Sequence, residues 1–404
     1  MTETESPAGG QPPALAHSLA VWGWDDRWSA AFVLSATAGL IPARVIAQHR
    51  GRWLLAAESG EFPGLVTGKF RHDAATGDLP AVGDWVACVP LPGRANATGG
   101  TRAEVSARGA ALEPTARGNV SFGGDAAQID VILPRRTALT RRAAGSRVMM
   151  QVVAANVDTL FVATSLNAEL NPRRLERYVA MGRESGAETV VLLTKADLVE
   201  DGDAAVTGLA EELRVSVVAL SGHTGDGLEA LADWLQPGRT VALVGSSGVG
   251  KSTLLNRLAG EELMATTEIR ENDARGRHTT THRELFLLPG GALLLDTPGM
   301  RELGLWDADE GVDDTFADLI ELSSRCRFAD CSHRLEPGCA IQAEVRAGRL
   351  DDARVRSYRR LSHEVAEQPA TLAAKREKDR RFGKSVRNAA AESTARKAFK
   401  DGDY

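Results

Sequence analysis

The stretch VALVGSSGVGKSTLLNRLAG, from Val241 to Gly260, decides the fold class of this 404-residue chain. An apolar run leads into a glycine-rich turn, and Lys-Ser then opens a segment of helical character. The pattern G-x4-G-K-[ST] is typical of a loop that joins a strand to a helix and wraps phosphate groups with backbone amides. A glycine-rich turn that precedes Lys-Ser by accident is the alternative, but the strand and helix context favours the phosphate loop. We therefore expect an α/β domain that binds a nucleotide.

The chemistry of this loop assigns a role to each of its parts. The glycines let the backbone wrap the phosphates, Lys251 would neutralise the β and γ phosphates, and the Ser252 hydroxyl would bind Mg²⁺. The predicted phosphate-binding residues are Gly245, Ser246, Ser247, Gly248, Val249, Gly250, Lys251, Ser252 and Thr253.

A second motif, DTPG from Asp296 to Gly299, ends another apolar strand. An acid at this place in a nucleotide-binding fold holds Mg²⁺, so we predict that Asp296 does so. The amide of Gly299 would contact a γ-phosphate and release it after hydrolysis. The four letters alone are a weak signal, but they follow the phosphate loop along the chain and gain weight from it.

A third motif, TKAD from Thr194 to Asp197, follows a buried strand, at the edge where open α/β sheets bind ligands. The Asp197 carboxylate would accept the two N–H bonds of the guanine edge, which adenine does not offer. Lys195 would lay its stem over the base. A Lys-Ala-Asp turn at a helix start is the alternative. With the small residues of SGHTGDG beside the guanine O6, the predicted guanine-binding residues are Thr194, Lys195, Ala196, Asp197, Ser221 and Gly222.

The order of these motifs along the chain is unusual, because the base-reading loop precedes the phosphate loop. TKAD, SGHTGDG, GSSGVGKS, GRHTTTHREL and DTPG resemble the five GTPase signatures in the order four, five, one, two, three, as in circularly permuted GTPases. Native termini usually lie close together, so a permuted chain can keep the same site. Since the segment after Asp296 leads directly into the C-terminal part, loss of the γ-phosphate would move that part as a lever.

The segment GRHTTTHREL, from Gly276, supplies a threonine for Mg²⁺ and the γ-phosphate. The predicted magnesium ligands are Ser252, Thr280 and Asp296, although the spacing leaves Thr279 and Thr281 open as alternatives to Thr280. Met300 stands near the place of a water-orienting glutamine and cannot orient water, so intrinsic hydrolysis should be slow without another group. His278 is our candidate for that catalytic group, and a solvent-exposed loop histidine is the alternative.

A cluster of cysteines and one histidine, CRFADCSHRLEPGC, predicts a metal site. Three thiolates and an imidazole complete a tetrahedral shell, so the ion would be one structural Zn²⁺ per chain, held by Cys326, Cys331, His333 and Cys339. Incidental buried cysteines are the alternative. The remaining cysteine, Cys88, lies in an apolar run and is predicted to be a core residue.

The N-terminal half of the chain has the texture of a small antiparallel β-barrel. Between Ala43 and Leu133, the short runs ARVIAQHR, RWLLAAE, GLVTGKF, DWVACVPL and TRAEVSA alternate with turn-rich pieces. A sandwich is the alternative, but an oligonucleotide-binding (OB) type of barrel fits the strand count. The predicted domains are a disordered tail (1–16), a lead-in and OB-type barrel (17–135), the permuted GTPase domain (140–304), a small helical zinc-binding domain (305–370) and a basic helical or disordered tail (371–404).

Composition and charge narrow the expected binding partners and cellular compartment of this chain. A net charge of −6 argues against a protein coated in positive charge, yet the basic runs near Arg135 and Lys375 are candidates for phosphate contacts, with solvated helix faces as the alternative. Only four cysteines occur, which favours a reducing compartment. Without an apolar segment of signal or membrane-spanning type, we expect a cytoplasmic protein that does not insert in membranes.

From about Trp22 to the basic tail, the chain resembles the small ribosomal subunit biogenesis GTPases of the RsgA (YjeQ) family. The resemblance rests on VGDWV in the barrel, AANVD before the first GTPase strand, GSSGVGKSTLLN, GRHTTT, DTPG and the Cys/His spacing. It implies a barrel, a permuted GTPase domain and a zinc domain. It also implies a GTPase that binds the small (30S) ribosomal subunit and its rRNA late in maturation and is stimulated by it. By this resemblance the catalytic histidine maps onto His278, and we expect a monomer.

One departure and two other function classes stay open. Thr194 stands where GTPases often have asparagine, so the hydrogen bond that ties this loop to the phosphate loop is an open question. A GTP-binding switch for a protein partner would use the barrel and the zinc domain as protein-interaction modules. A P-loop ATPase or kinase is the third class, and TKAD argues against it.

Overall fold

The computed structural model describes residues 19–49, 52–73, 79–91, 126–142, 150–166, 170–199, 202–246, 248–260, 283–296 and 309–366. The predicted tails, 1–16 and 371–404, lie outside the described residues. No helix in the described ranges combines the length and the apolar character that crossing a membrane requires.

Five strands close into a barrel near the N-terminus. Strand order is β1-β2-β3-β5-β4, and a further pairing of β1 with β4 closes the ring. Only β3 and β5 run parallel, while the other neighbours are antiparallel. The strands and the intervening helix are β1 (Ile41–His49), β2 (Arg52–Ala57), β3 (Gly60–Val66), α2 (Gly68–Asp73), β4 (Trp85–Leu91) and β5 (Ala126–Ile132). A closed five-stranded ring of this type confirms the OB-like barrel over the sandwich.

The fifth barrel strand is a segment that the sequence pattern did not single out. The predicted fifth run, TRAEVSA, lies outside the described residues, whereas the strand that pairs with both β3 and β4 is AAQIDVI. In that strand the mostly exposed Asp130 and Val131 interrupt the apolar alternation, so its strand pattern is weak. Cys88 is fully buried in β4, as predicted.

The lead-in packs against the barrel through tryptophans. A 3₁₀ turn at Leu19–Trp22 is followed by helix α1 (Asp26–Thr37), whose N-cap Asp25 accepts a hydrogen bond from the Trp28 amide. The Trp24 ring meets the Trp85 ring edge-on, with centroids 4.7 Å apart. Of the two tryptophans in the lead-in, Trp22 is buried and Trp24 is half-buried.

Behind the barrel lies a small two-stranded sheet that the sequence pattern did not predict. It pairs β6 (Ala138–Arg142) with β7 (Met150–Ala155) in antiparallel fashion. Asn156, which follows β7, donates a side-chain hydrogen bond to the Gly83 carbonyl of the barrel at 3.0 Å. This sheet therefore connects the barrel to the domain that follows.

The second domain is a parallel sheet with helices between its strands. Sheet order is β10-β9-β8-β11-β13-β12, and only β12 runs antiparallel to its neighbour β13. Its elements are β8 (Thr159–Ser165), α3 (Pro172–Ser185), β9 (Glu188–Thr194), α4 (Asp203–Leu213), β10 (Ser216–Ala219), β11 (Thr240–Gly245), α5 (Lys251–Ala259), β12 (Arg283–Leu287) and β13 (Leu293–Asp296). Strands β8 and β11 are buried along their whole length, which explains their uninterrupted apolar sequence.

Strands β12 and β13, in the stretch ELFLLPGGALLLD, form an antiparallel hairpin. The segment GLEALADWL, although its apolar residues have helical spacing, does not form a full helix. The chain forms a single 3₁₀ turn there, Leu228–Leu231, followed by turns. The Trp234 indole N–H donates to the Glu188 carboxylate at 2.7 Å, so the apolar residues of this segment fold back on the sheet without a full helix.

The barrel and the parallel sheet are joined by pairing between their strands. Strand β1 pairs antiparallel with β12, so eleven strands follow one another without a break. Beside this junction the buried Arg44 donates to the Thr240 hydroxyl at 2.8 Å and to the Trp22 carbonyl. One guanidinium therefore links the lead-in, the barrel and the parallel sheet.

The C-terminal part is helical and packs against α3. It consists of α6 (Asp309–Thr315), α7 (Ala317–Ser323), α8 (Ala340–Arg346) and α9 (Asp352–Ala366). The buried side chains of Phe316 and Val355 belong to the same apolar core as Val179 of α3. A small helical module on the parallel-sheet domain agrees with the prediction.

Candidate nucleotide-binding site and metal centre

The predicted nucleotide loops meet at one edge of the parallel sheet. Strands β9, β10, β11 and β13 point the same way, so the segments that follow them emerge side by side. TKAD follows β9, SGHTGDG follows β10, the phosphate loop follows β11, and Asp296 is the last residue of β13. Ligands of open α/β sheets bind at this carboxyl edge.

Backbone conformation explains the glycines of the phosphate loop. Gly245 has a φ of 144°, and a Cβ at this position would lie 2.2 Å from the Ala163 carbonyl oxygen of β8. Gly250 has a φ of 92° and caps the start of α5. Both positions therefore require glycine, and the loop delivers the N-terminus of α5 to the sheet edge.

Lys251 lies over this loop. Its ammonium donates to the Gly245 carbonyl at 2.8 Å and also to the Ser246 carbonyl. Ser252 and Thr253 follow in the first turn of α5, and both are half-buried. Of the predicted phosphate-binding set, Ser247 lies outside the described residues.

Thr194 forms a hydrogen bond to the phosphate loop, although it stands where GTPases often have asparagine. Its hydroxyl donates to the Val249 carbonyl in the phosphate loop, and the Thr164 carbonyl, 3.1 Å away, is its other acceptor. The side chain is buried, so water does not compete for this bond. Threonine therefore ties the base-reading loop to the phosphate loop where other GTPases use asparagine.

The two base-reading segments are joined to each other by a backbone bond. The Ala196 amide donates to the Leu220 carbonyl at 3.2 Å, and Lys195 adopts a left-handed conformation with a φ of 60°. Asp197 is exposed. It is therefore accessible to a base at the sheet edge.

The second segment is a tight turn organised by Ser221. This buried hydroxyl accepts hydrogen bonds from the amides of His223 and Thr224, at 3.2 and 3.1 Å. A Cβ on Gly222 would lie 3.1 Å from the Leu254 amide nitrogen, so this turn packs on the helix that starts at Lys251. The predicted base-reading and phosphate-binding residues are thus neighbours in space.

Several predicted site residues lie outside the described part of the chain. They are His278, the three threonines Thr279, Thr280 and Thr281, and the pair Gly299 and Met300. Asp296 closes β13 at the correct edge, and its side chain is not described.

A residue that sequence reasoning missed contacts the phosphate loop. Arg174, in the first turn of α3, donates from Nη1 to the Ser246 hydroxyl at 2.7 Å. The signal for it was topological, because α3 follows β8 and β8 is the sheet neighbour of β11. An arginine at the start of the helix after β8 therefore reaches the loop after β11.

Two arginines of the basic run near Arg135 bind carboxylates of the protein. Arg135 binds the buried Asp84 carboxylate with two hydrogen bonds, at 2.8 and 2.7 Å. Arg136 donates to Asp25 at 2.7 Å and stacks on the Trp28 ring, with 4.0 Å between guanidinium carbon and ring centroid. Carboxylates of the protein therefore engage both of these arginines, and phosphate contact by the rest of the run stays a prediction. The run near Lys375 lies outside the described residues.

The predicted metal ligands converge in the C-terminal part. The ligand atoms of Cys326, Cys331, His333 and Cys339 all lie within 4.8 Å of one another. His333 Nδ1 is 3.6 Å from the sulfurs of both Cys326 and Cys339, and those sulfurs are 3.9 Å apart. A tetrahedron with Zn–S bonds of about 2.3 Å and a Zn–N bond of about 2.0 Å has edges of about 3.5 to 3.8 Å. The cluster therefore fits a zinc ion.

Backbone amides support this cluster. The Cys326 sulfur accepts from the Ala340 amide, and the Cys339 sulfur accepts from the Gln342 amide, each at 3.4 Å. Burial opposes ionisation of Cys326, but amide hydrogen bonds hold its pKa below the ordinary value, while burial raises the pKa of Cys331 to about 11. One thiol is prepared for ionisation, while burial and, to a smaller extent, the neighbouring cysteines make another resist it. A divalent cation removes that conflict.

Fold and site together define a class, the circularly permuted GTPases with an attached barrel and a Cys₃His centre. Residues 132–306 match the family model described as RsgA GTPase. The chain is 46% identical over 352 residues to the small ribosomal subunit biogenesis GTPase RsgA of Opitutus terrae, which covers 86% of this chain and 90% of that protein. The chain belongs to the RsgA GTPase family, and it is a GTP hydrolase.

Two further comparisons agree. The RsgA protein of Streptomyces coelicolor is 40% identical over 352 residues, 86% of this chain and 86% of its own length. The fold is similar to the crystal structure of YjeQ from Thermotoga maritima, with a TM-score of 0.53 and 24% identity over 82% of this chain and 100% of that one. A second crystal structure, of YloQ, described as a circularly permuted GTPase, gives a TM-score of 0.50 at 22% identity over 82% of this chain and 96% of that chain.

Proposed function

We propose that this chain binds the small (30S) ribosomal subunit, hydrolyses GTP to GDP and inorganic phosphate during late maturation of the subunit, and is stimulated by it. The observation that supports this most is the 46% identity to a protein named for biogenesis of that subunit, over 86% of the chain. The barrel, nucleotide domain and Cys₃His module would then be several modest contacts that act together on one large particle. We infer that the protein acts as a cytoplasmic monomer.

The proposed nucleotide site uses the loops at the carboxyl edge of the sheet. Residues 245–253 wrap the phosphates, with Lys251 between the β and γ groups and Ser252 on Mg²⁺. Asp197 accepts the N1 and N2 protons of guanine, while Lys195 covers the base. Ser221 and Gly222 lie beside the guanine O6. The bond from Thr194 to the Val249 carbonyl supports this assignment, because it fixes the base site relative to the phosphate site.

The proposed hydrolytic machinery rests on the resemblance and on chain position. Thr280 and Asp296 would complete the magnesium shell with Ser252, and Gly299 would contact the γ-phosphate. Bound Mg²⁺ would neutralise charge on the β and γ oxygens. His278 would act on the attacking water, a role that methionine at position 300 cannot fill.

The proposed zinc site is structural. Three thiolates and one imidazole leave no open position for a substrate, and the cluster joins the loop after α7 to the start of α8. We propose domains at 17–135, 140–304 and 305–370, with tails at 1–16 and 371–404. Contacts to rRNA would come from the barrel, the zinc module and the basic run near Lys375. Arg135 and Arg136 are not assigned to rRNA, because carboxylates of the protein hold both of them.

The test is GTP turnover by the purified protein with and without purified small ribosomal subunits. We expect the subunits to raise turnover strongly. In His278→Ala the stimulation should be lost while guanine-nucleotide and subunit binding are retained. No stimulation by subunits, with GTP binding intact, would contradict the proposal and favour a switch for a protein partner. Competition by ATP as strong as by GTP would contradict the guanine site itself.

A further inference from the structure

We propose that Arg174 binds the γ-phosphate of GTP from within the chain and stabilises the charge that develops on it during hydrolysis. The proposal rests on the nucleotide site described above, and it adds a cation that is not part of the phosphate-loop motif. Arginine is suited to this task because its planar guanidinium offers five N–H donors and binds two phosphate oxygens at once.

The capped start of helix α3 fixes the backbone position of Arg174. The Asn171 side chain caps α3 by accepting from the Arg173 and Arg174 amides, at 3.0 and 3.2 Å, and Pro172 occupies the first helical position. Only the side-chain torsions of Arg174 are left to place its guanidinium. That group is exposed, and its Nη1 donates to the Ser246 hydroxyl at 2.7 Å.

The neighbouring arginines on α3 show what is unusual about Arg174. Arg173 is held by Glu176, Asp351 and Glu212, with 2.7 Å to Asp351 and 2.9 Å to Glu212. Arg177 forms a bidentate pair with Glu364 at 2.6 and 2.7 Å. Within the described part of the chain, Arg174 pairs with no carboxylate. Its charge is therefore directed at the phosphate loop without a counter-ion.

Two cations converge on Ser246. The Lys251 ammonium holds the backbone carbonyl of Ser246, and the Arg174 guanidinium holds its hydroxyl. Since the lysine of this motif pairs with the β and γ phosphates, a cation beside it lies at the terminal-phosphate end of the loop. Both contacts are polar and exchangeable, so phosphate oxygens can replace the serine oxygens as acceptors.

The reaction gives this position its use. The oxygen of water forms a bond to the γ-phosphorus, and the bond from that phosphorus to the β–γ bridging oxygen breaks. GDP leaves with the electron pair, and the proton from water passes to phosphate or solvent. Negative charge on the bridging and γ oxygens grows along this path, and an arginine supplied in cis stabilises it. GDP has no γ-phosphate, so its affinity for the protein should not depend on Arg174.

The experiment compares Arg174→Ala and Arg174→Lys with Arg356→Ala in the full-length protein. Arg356 is an exposed arginine on α9 that pairs with Asp352, and it serves as the matched control. Single-turnover GTP hydrolysis and the affinities for GTP and GDP are measured with fluorescent nucleotides. We expect Arg174→Ala to slow hydrolysis by about tenfold or more and to weaken GTP binding while GDP binding is unchanged. Lysine should restore part of the GTP preference, because it keeps the charge without the planar fork.

Two results would overturn the proposal. One is a wild-type rate and wild-type GTP affinity in Arg174→Ala. The other is an equal loss of GTP and GDP affinity with a lower melting temperature, which would make Arg174 a structural support of the loop. Failure of the wild-type protein to bind GTP would instead overturn the nucleotide site itself, and this inference with it.

Discussion

Thr194 links the predicted base-reading loop to the phosphate loop. Its buried hydroxyl donates to the Val249 carbonyl, and valine has the same shape without the donor. Thr194→Val should therefore weaken GTP and GDP binding alike, by about twofold to tenfold, because a buried carbonyl loses a hydrogen bond of about 0.5 to 1.5 kcal/mol. Titration with fluorescent nucleotides measures the change.

The control for this prediction is Thr194→Ser, which keeps the hydroxyl and should bind nucleotide nearly as the wild type does. Equal affinity in the valine and serine variants would show that the bond between the two loops contributes nothing to the site.

Asp197 carries the predicted choice of base. Its carboxylate can only accept hydrogen bonds, which suits the N1 and N2 protons of guanine. In Asp197→Asn one acceptor becomes an N–H donor, which suits xanthine, whose C2 carries an oxygen in place of the amino group. We expect GTP affinity to fall by about 100-fold or more and xanthosine triphosphate to bind better than GTP. Competition titrations check this, and a variant that still prefers GTP would contradict the assignment.

At the scale of elements, α1 is held to the body of the protein by Asp25. This residue caps the helix and forms an ion pair with Arg136, which itself stacks on Trp28. The hydrogen bond from Arg136 is the largest cause that lowers the pKa of Asp25 to about 2, and the Trp28 amide adds to it. The carboxylate stays half-exposed, so solvent screens much of this interaction.

The ion pair predicts a pH dependence. Asp25→Asn keeps a capping side chain and removes the charge, so it should destabilise the protein by up to about 1 kcal/mol at pH 7. Because the pKa of Asp25 is lower in the folded state, its charge stabilises the folded protein at pH values above the unfolded-state pKa of about 3.9. The difference between variant and wild type should therefore shrink as the pH falls from about 4 toward 2. Urea unfolding followed by tryptophan fluorescence measures it.

The matched variant for this test is Asp26→Asn. Asp26 is the exposed next residue and makes no ion pair within the described ranges. It should leave stability unchanged at both ends of the pH range. A difference for Asp25→Asn that stays constant from pH 7 to pH 3 would contradict the role of its charge.

At the scale of the whole molecule, the features that the sequence predicted are those written in contiguous residues. The phosphate loop, TKAD and the Cys/His cluster each lie within a few positions, because each forms one turn or one loop. Arg174 and the pairing of β1 with β12 could not be predicted in this way. They depend on which strands become neighbours, and that is decided by burial of apolar faces over the whole sheet. Arg44 shows the same limit, because its partners at Trp22 and Thr240 are far away along the chain.

Metal binding is expected to hold the C-terminal module in its fold. Cys339 caps the N-terminus of α8, and the Cys326 sulfur accepts a hydrogen bond from the Ala340 amide, so loss of the ion should free both ends of this connection. We expect about one zinc per chain, lost in Cys331→Ser. Trypsin should then cut the arginine-rich segment between α7 and α8 much faster. Zinc analysis and timed proteolysis check this, with Cys88→Ala, whose sulfur lies in the barrel, expected to retain the metal.

Two ion pairs join α3 to the C-terminal helix α9, and they differ in burial. Glu176 is fully buried and binds Arg354 at 3.0 Å, and Arg354 also binds Asp318 at 2.9 Å. The other pair, Arg177 with Glu364, is partly exposed. Since the same helix α3 carries Arg174 to the phosphate loop, a lever movement of the C-terminal module after γ-phosphate loss must either break the buried pair or move α3 with it.

We therefore expect the buried pair to contribute to holding the module on α3. Glu176→Gln should raise hydrogen exchange in α9 by about tenfold or more, because it leaves the Arg354 charge in a buried place with one carboxylate fewer. Glu364→Gln removes the exposed pair of the same two helices and should change exchange little. Exchange measured with GTP and with GDP then tests the lever. The wild type could exchange its α9 amides faster with one nucleotide than with the other. If Glu176→Gln shows no such difference between GTP and GDP, the nucleotide acts through this contact. Identical exchange in both states would show that the module is fixed on α3 throughout the cycle and that the lever is wrong.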